Sequence, residues 1–450
     1  MLRSLKISLR HGTATVALAS LLLPGGSAYA QPAAVHERFA SEIRGLVDSA
    51  YPSLDLLYKD LHAAPELAFQ EVKTAARLAK EMRALGYEVT EGIGKTGIVA
   101  ILKNGAGPMI LVRTELDALP MEEKSSLPYA SKAKATFDGK ETFVAHSCGH
   151  DIHMAAWVGA ARTLAAMKSK WQGTLMFVGQ PAEETVSGAR AMLNDGLFSR
   201  FGKPDYAFAL HSSAGPVGSI GYNVGAITSN SDGLQITFKG RGGHGSAPHF
   251  TIDPILIAAR FTLEVQAVIS REKDPGEFGV VTVGAIQAGT VGNIIPDSAL
   301  VRGTIRSYKP AVRDKLLEGV RRVANAAAAM SNAPAPDVEL AAGGAAVMND
   351  EAVVKGTEIV LKAAFGDVMV QRMQPITASE DFSEFLNAGV PGMMFFMGAY
   401  DSATIAEARR PGGKPLAFNH SPFYAPVPEP TIKTGVTAMS LAVLQALQKR

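Results

Sequence analysis

At 450 residues the chain is long for one hydrophobic core, which predicts two domains. Hydrophobic residues make up 47% and charged residues 19%, with no low-complexity tract, which excludes a disordered or fibrous protein. A formal net charge of +2 leaves no electrostatic footprint for nucleic acid or an anionic membrane surface.

The first thirty residues stand apart. Arg3, Lys6 and Arg10 open the chain, Thr13 to Leu23 is apolar, and Ala28-Tyr29-Ala30 has the A-x-A form of a cleavage site. This is the pattern of a signal peptide over 1–30, so the mature protein is expected to be secreted or periplasmic. The apolar run is too short to cross about 30 Å of hydrocarbon, so no membrane anchor is expected. Cleavage removes three cations and takes the formal charge from +2 to −1. The lone cysteine, Cys148, has no intramolecular disulfide partner. A thiol kept in an oxidising compartment calls for a protecting role, and metal ligation is one.

Val35 to Leu61 reads as helical, with a new helix start at Tyr51-Pro52-Ser53, and Pro65-Glu66 marks a stop and turn. Gln70 to Leu85 is a second amphipathic helix, closed by Gly86. Gly97 to Leu102 and Met109 to Val112 are short aliphatic strands of the kind covered on both faces of a sheet. The second runs into Arg113-Thr114-Glu115-Leu116-Asp117, at the strand's carboxyl end where open α/β sheets bind ligands. With no partner in view, solvated carboxylates are the simpler reading of Glu115 and Asp117 alone.

Ala145 to His153 packs three imidazoles, one carboxylate and the only cysteine into nine residues, ahead of a helix expected over Met154 to Met167. Thiolate and imidazole at that density suit a divalent transition ion. The strand Gly173 to Gly179 then ends in Gln180-Pro181-Ala182-Glu183-Glu184. Two adjacent acids after an apolar strand need a partner or a cation. A third strand, Tyr206 to Leu210, delivers His211 at its end.

From Asp232 the pattern alternates. Strands at Asp232 to Phe238, Val280 to Ile286, Ala299 to Ser307 and Asp337 to Leu340 are interleaved with helices Asp253 to Arg271 and Pro310 to Met330. A glycine-rich loop, Gly240 to Pro248, carries His244. The order β-α-β-β-α-β is the ferredoxin-like unit, with linkers expected at Asn332 to Pro336 and Ala341 to Ala346. The α/β character returns with helix Asp350 to Phe365, a helix opened by Ser379-Glu380-Asp381-Phe382, strand Met393 to Met397, the segment Asn419-His420-Ser421-Pro422-Phe423, and helix Thr431 to Gln448. The expected fold is therefore α/β: a catalytic domain over 31–228 and 343–450, with a mainly parallel sheet covered by helices, and an inserted unit over 229–342.

The ligand-type residues are Cys148, His150, Glu184, His211 and His420. Five exceed the three protein ligands of a mononuclear catalytic zinc site, which points to two ions. Glu183 is placed to take a proton from water and return it to a leaving amine, as general base then acid. The reaction class is metal-assisted hydrolysis of an amide or related acyl bond.

His-Ser-Cys-Gly-His-Asp-Ile-His, Gln-Pro-Ala-Glu-Glu, Arg-Thr-Glu-Leu-Asp-Ala-Leu-Pro, Gly-Gly-His-Gly-Ser-Ala-Pro-His, Asn-Ile-Ile-Pro, Gly-Thr-Ile-Arg, Ser-Glu-Asp-Phe and His-Ser-Pro-Phe occur in this order. From Leu61-His62 to the last helix the chain resembles the amidohydrolase branch of the aminoacylase/carboxypeptidase metallopeptidases, which includes hippurate and auxin-conjugate hydrolases. The resemblance implies a site for two divalent ions (zinc, manganese, nickel or cobalt) on those five ligands, with Glu183 as base toward the metal-bound water. It also implies that the insertion is a lid and dimerisation domain of a homodimer, whose His244 reaches the partner's site to stabilise the developing oxyanion. The chain departs from the family pattern at Glu115, where Asp is usual, at Ile152, where Gly is usual, and in the proline-rich Pro426 to Pro430. The longer Glu115 side chain bears on ligand orientation.

The substrate expected is an N-acyl amino acid or small peptidyl conjugate, with Asn293 and Arg306 as groups for its free carboxylate. A dipeptidase or a deacetylase of a small metabolite would use the same site. A non-catalytic binding protein would not need Glu183.

Overall fold

The computed structural model describes residues 32–448. The 1–30 signal segment lies outside the described residues. The first part contains α1 (Pro32–Ala63), α2 (Val72–Ala84), β1 (Glu88–Ile93), β2 (Gly97–Asn104), β3 (Met109–Glu115), α3 (His150–Ala166), β4 (Gly173–Gln180), β5 (Tyr206–Pro216) and β6 (Ile220–Tyr222). The middle contains β7 (Asp232–Lys239), α4 (Pro254–Ala267), β8 (Gly279–Gln287), β9 (Ser298–Ser307), α5 (Pro310–Ala329) and β10 (Asp337–Ala342). The last part adds α6 (Glu351–Phe365), β11 (Val370–Arg372), β12 (Gly392–Tyr400) and α7 (Pro428–Leu447).

The first and last parts share one eight-stranded sheet in the order β1-β2-β4-β3-β5-β12-β6-β11. Its four central strands, β4, β3, β5 and β12, are mutually parallel, and β2 and β6 flank them antiparallel. Every residue of β12 is buried, as a strand covered on both faces requires. One face carries α1, α3, α6 and α7, where Leu54, Tyr58, Trp157, Val436 and Leu441 are buried together. The other face is a second apolar layer that includes Met176, Val178, Phe382 and Phe385.

The middle segment forms its own antiparallel sheet in the order β8-β9-β7-β10. This is the strand order of a ferredoxin-like unit, and α4 and α5 cover it through Phe238, Phe261, Leu316 and Val320. Asp253 starts α4 as the sequence suggests, its carboxylate accepting the N–H groups of Ile255 and Leu256. Ala341 and Ala342, expected as linker, belong to β10, where they pair with Gly233 and Asp232.

Three local expectations are corrected. Pro52 does not restart a helix, because α1 runs through it, buried along Ile43, Val47, Leu54, Leu57 and Leu61. Burial of that stripe outweighs the hydrogen bond that proline removes. Helix α3 begins at His150, four residues before the apolar pattern at Met154. Gly149 makes that start: its φ is +94°, and a Cβ there would lie 2.5 Å from Ser212 Oγ. Finally, Glu380 and Asp381 do not open a helix. The short helix begins at Ser383, and both carboxylates turn inward.

Candidate active site

The five ligand-type residues and Glu183 converge at the carboxyl ends of the parallel strands. β3 leads to Asp117, β4 to Glu183 and Glu184, and the first turn of α3 presents His150. His211 is not at the end of its strand as expected, since β5 continues to Pro216. It does lie beyond the last β3–β5 pair, Arg113 with Ala209, so one side of it is open to the site. His420 sits at a backbone φ of +69°, its N–H donating to Ser147 O at 2.8 Å. Asn419 fixes that loop by donating from Nδ2 to Cys148 O (2.8 Å) and Ser212 O (3.2 Å).

Glu184 joins two groups of metal-type donor atoms, Cys148–Glu184–His420 and His150–Glu183–Glu184. Its carboxylate lies 3.3 Å from His420 Nε2 and 3.8 Å from His150 Nε2, while Cys148 Sγ lies 3.4 Å from His211 Nε2. Glu183 lies 3.6 Å from His150 Nε2.

Hydrogen bonding separates the histidines. His150 Nδ1 donates to Asp117 O at 2.8 Å, which turns Nε2 toward the acids, and that buried nitrogen has no partner among the described residues. Glu184 Oε1 and Asp117 Oδ1 are likewise buried and unpartnered. His211 Nδ1 donates to Ser212 O at 2.7 Å, leaving its Nε2 toward Cys148. His153 differs. Its Nε2 accepts the Ser212 N–H (2.8 Å) and its Nδ1 donates to Glu115 (3.0 Å), so both nitrogens are occupied and it supports the site from behind.

Electrostatics favour cations here. Burial raises the Cys148 thiol pKa well above its ordinary value, and the Glu184 and Glu183 charges add to this, so a thiolate at this position needs a positive partner. Burial alone would lower His150, but the Asp117 hydrogen bond and the charges of Glu115 and Glu184 push it up to about 10. Burial and the neighbouring His153 hold His211 well below the usual histidine range, in its neutral, ligand-competent form. Glu183 is raised well above the carboxylate range by burial and by Glu380, Glu184 and Asp381. The donor set, the orphaned buried atoms and the excess of acids all fit divalent ions.

The groups that support the ligands carry no local sequence signal. Glu115 and Asp117 are not solvated; both are 0% exposed. Burial opposes the charge on Glu115, but Arg113 and His153 hold its pKa well below normal. Glu115 is thus bound to these two, which gives the longer side chain its place. Arg113 Nη2 also donates to Glu380 (2.6 Å) and Asp381 (3.3 Å), and Asp117 Oδ2 accepts the Glu184 N–H at 2.9 Å.

The cavity above these groups is about 840 Å³. Cys148, Glu183, Glu184, His211 and His420 line one end, with Met373, Ile376, Met394, Phe396 and Phe418 as apolar walls. Arg306 lines it too, anchored through Nη1 to Thr377 O (2.8 Å) and Ser379 Oγ (3.1 Å). Asn293 and His244 do not line this cavity. They sit together on the surface of the inserted unit, where Asn293 O accepts the Gly245 N–H and His244 Nδ1 takes the Ser246 hydroxyl.

Residues 111–411 match the family model described as peptidase family M20/M25/M40. The chain belongs to this family. Hippurate hydrolase of Campylobacter jejuni is 38% identical over 330 residues, covering 72% of this chain and 82% of that protein. An N-acetylcysteine deacetylase of Bacillus subtilis is 37% identical over 280 residues, 60% of this chain and 69% of that protein. A solved Bacillus subtilis structure, described as a dinuclear metal-binding peptidase of family M20, superposes with a TM-score of 0.73 at 27% identity, covering 89% of this chain and 99% of that one. As an M20 protein with this donor set, the chain is a metallo-amidohydrolase.

Proposed function

We propose that this M20 enzyme hydrolyses the amide bond of N-acyl amino acids or small peptidyl conjugates, with two divalent ions held by Cys148, His150, Glu184, His211 and His420. The observation that carries the reading is Glu184, shared by two donor groups whose buried atoms His150 Nε2 and Glu184 Oε1 have no hydrogen-bond partner among the described residues. Bound there, the ions supply Lewis acidity toward a carbonyl oxygen.

The protein supplies proton transfer and orientation. Glu183 is buried beside His150 at the wall of the cavity, where burial and the neighbouring acids make its carboxylate a stronger proton acceptor than a solvated one, so it can take a proton from the attacking water and return it to the leaving nitrogen. The apolar walls suit a hydrocarbon acyl group, and Arg306 offers a cation for a free carboxylate. The deacetylase relative supports a small acyl group as the second reading. The residue pattern of 1–30 supports export to the periplasm or medium.

His244 fits the same proposal through a second copy. It is exposed in its own subunit, and Phe250, Ile255, Leu256, Val291 and Ile294 are exposed on the same inserted unit. Ile294 pairs directly with His244 in this loop, and an exposed apolar surface beside a functional group marks an interaction site. We place a homodimer contact on this unit, with His244 serving the neighbouring site as oxyanion donor.

Paired variants test the core of the proposal. Glu183→Gln should keep bound metal and lower kcat by about 10²–10⁴, whereas Glu184→Gln should lower metal affinity. The opposite pattern would exchange the two roles, and wild-type behaviour in both would end the assignment.

A further inference from the structure

The turn that carries Glu183 and Glu184 has an unfavourable backbone. Ala182 has a φ of +51° and Val186 of +51°, both in the left-handed region without being glycine. The turn is also tight: a Cβ on Gly188 would fall 1.5 Å from Pro181 O, and the Ser187 and Gly188 N–H groups both fold back to Ala182 O. Something outside the turn must hold Ala182 in this conformation.

Glu71 makes that contact. It stands at the N-cap position of α2, yet its side chain caps nothing in its own helix. Glu66 does that work, accepting the Lys73 (3.2 Å) and Thr74 (2.8 Å) N–H groups. Glu71, fully buried, is left to reach across 111 residues of sequence, where Oε1 accepts the Ala182 N–H at 2.8 Å. The same oxygen accepts the Phe69 N–H at 2.9 Å, and Phe69 is itself at a φ of +59°. The other oxygen takes the Thr96 hydroxyl at 2.5 Å. One carboxylate therefore ties the entry of α2 and the β1–β2 turn to the catalytic turn.

We propose that Glu71 is a positioning residue, which sets Glu183 and Glu184 through its bond to the Ala182 N–H; the proposal rests on the roles given to those two glutamates above. What counts is reach, since all three groups bonded to it are neutral donors.

Two conservative variants separate reach from charge. Glu71→Asp keeps the charge and shortens the reach by one methylene. Glu71→Gln keeps the reach and removes the charge. At saturating metal, Glu71→Asp should lower kcat by about 10–100-fold with KM within about threefold, because small misplacement of a reacting group costs up to about 10² in rate. Its metal affinity should fall as well, through Glu184. Glu71→Gln should restore kcat to within about threefold of wild type. Thermal melting of each variant checks that rates refer to folded protein. Wild-type kcat in folded Glu71→Asp overturns the proposal, and so does a Glu71→Gln enzyme slower than Glu71→Asp, which would assign the role to charge. If Glu71→Asp fails to fold, Thr96→Val carries the test by freeing the second carboxylate oxygen: a kcat loss of about threefold or more supports positioning, and an unchanged kcat overturns it. Glu183→Gln is measured alongside. Full activity there refutes the reading of Glu183, whereas an inactive Glu183→Gln with a fully active Glu71→Asp refutes Glu71 alone.

Discussion

His62 sits at the end of α1 with Nδ1 2.6 Å from Asp151 and Nε2 3.0 Å from Glu123, and all three side chains are about 3% exposed or less. Burial alone would lower its pKa, but the two carboxylates raise it to about 10. Replacing it by Gln leaves two buried carboxylates without their cation, and breaking a buried pair in this way costs about 3–5 kcal/mol. Linkage gives the same order: at about 1.4 kcal/mol per pH unit, a pKa raised from 6.5 to about 10 contributes up to about 5 kcal/mol. Because the folded pKa is the higher one, that stability is fully present below pH 6.5 and is lost as pH rises through about 10. Asp151 and Glu123 are held below their ordinary values against burial by hydrogen bonds to His62, so their contribution is lost at the acid end. Urea denaturation of wild type and His62→Gln at pH 6 should differ by about 3–5 kcal/mol. Nitrogen NMR of the His62 ring at pH 8 should show both nitrogens protonated. A neutral ring at pH 8, or a variant within about 1 kcal/mol of wild type, would refute the buried-cation account.

Cys148→Ser should lose bound metal and most activity while keeping its far-ultraviolet dichroism, since ligand loss strikes the site before the core; full metal content in the serine enzyme defeats the ligand assignment. Arg306→Ala should raise KM for free-acid substrates by about 10-fold or more and leave amidated analogues unaffected. Equal cleavage of amidated and free-acid substrates by wild type would remove the need for the clamp. Heterodimers of Glu183→Gln and His244→Ala subunits should regain activity at the one site that has both groups intact, and inactivity of verified heterodimers would count against action across the interface.

The chemistry of this chain was legible in its sequence because ligand-type residues are recognisable by type and by place. Cys148-x-His150, Glu183-Glu184, His211 and His420 each follow or open a periodic segment, and an α/β sheet gathers strand ends by topology. The ferredoxin-like order of the insertion was readable for the same reason, since alternation and caps are local signals. What sequence left open depends on bonds across the fold. Arg113 meets Glu380 from 267 positions away and Glu71 meets Ala182 from 111, and no local pattern marks such pairs. Tertiary packing likewise carried α1 through Pro52, and close approach to Ser212 made Gly149 the start of α3. The surface position of His244 was decided at the same level, because the pairing of Gly243-His244 with Ile294-Ile295 fixes its loop on the inserted unit, away from its own chain's cavity.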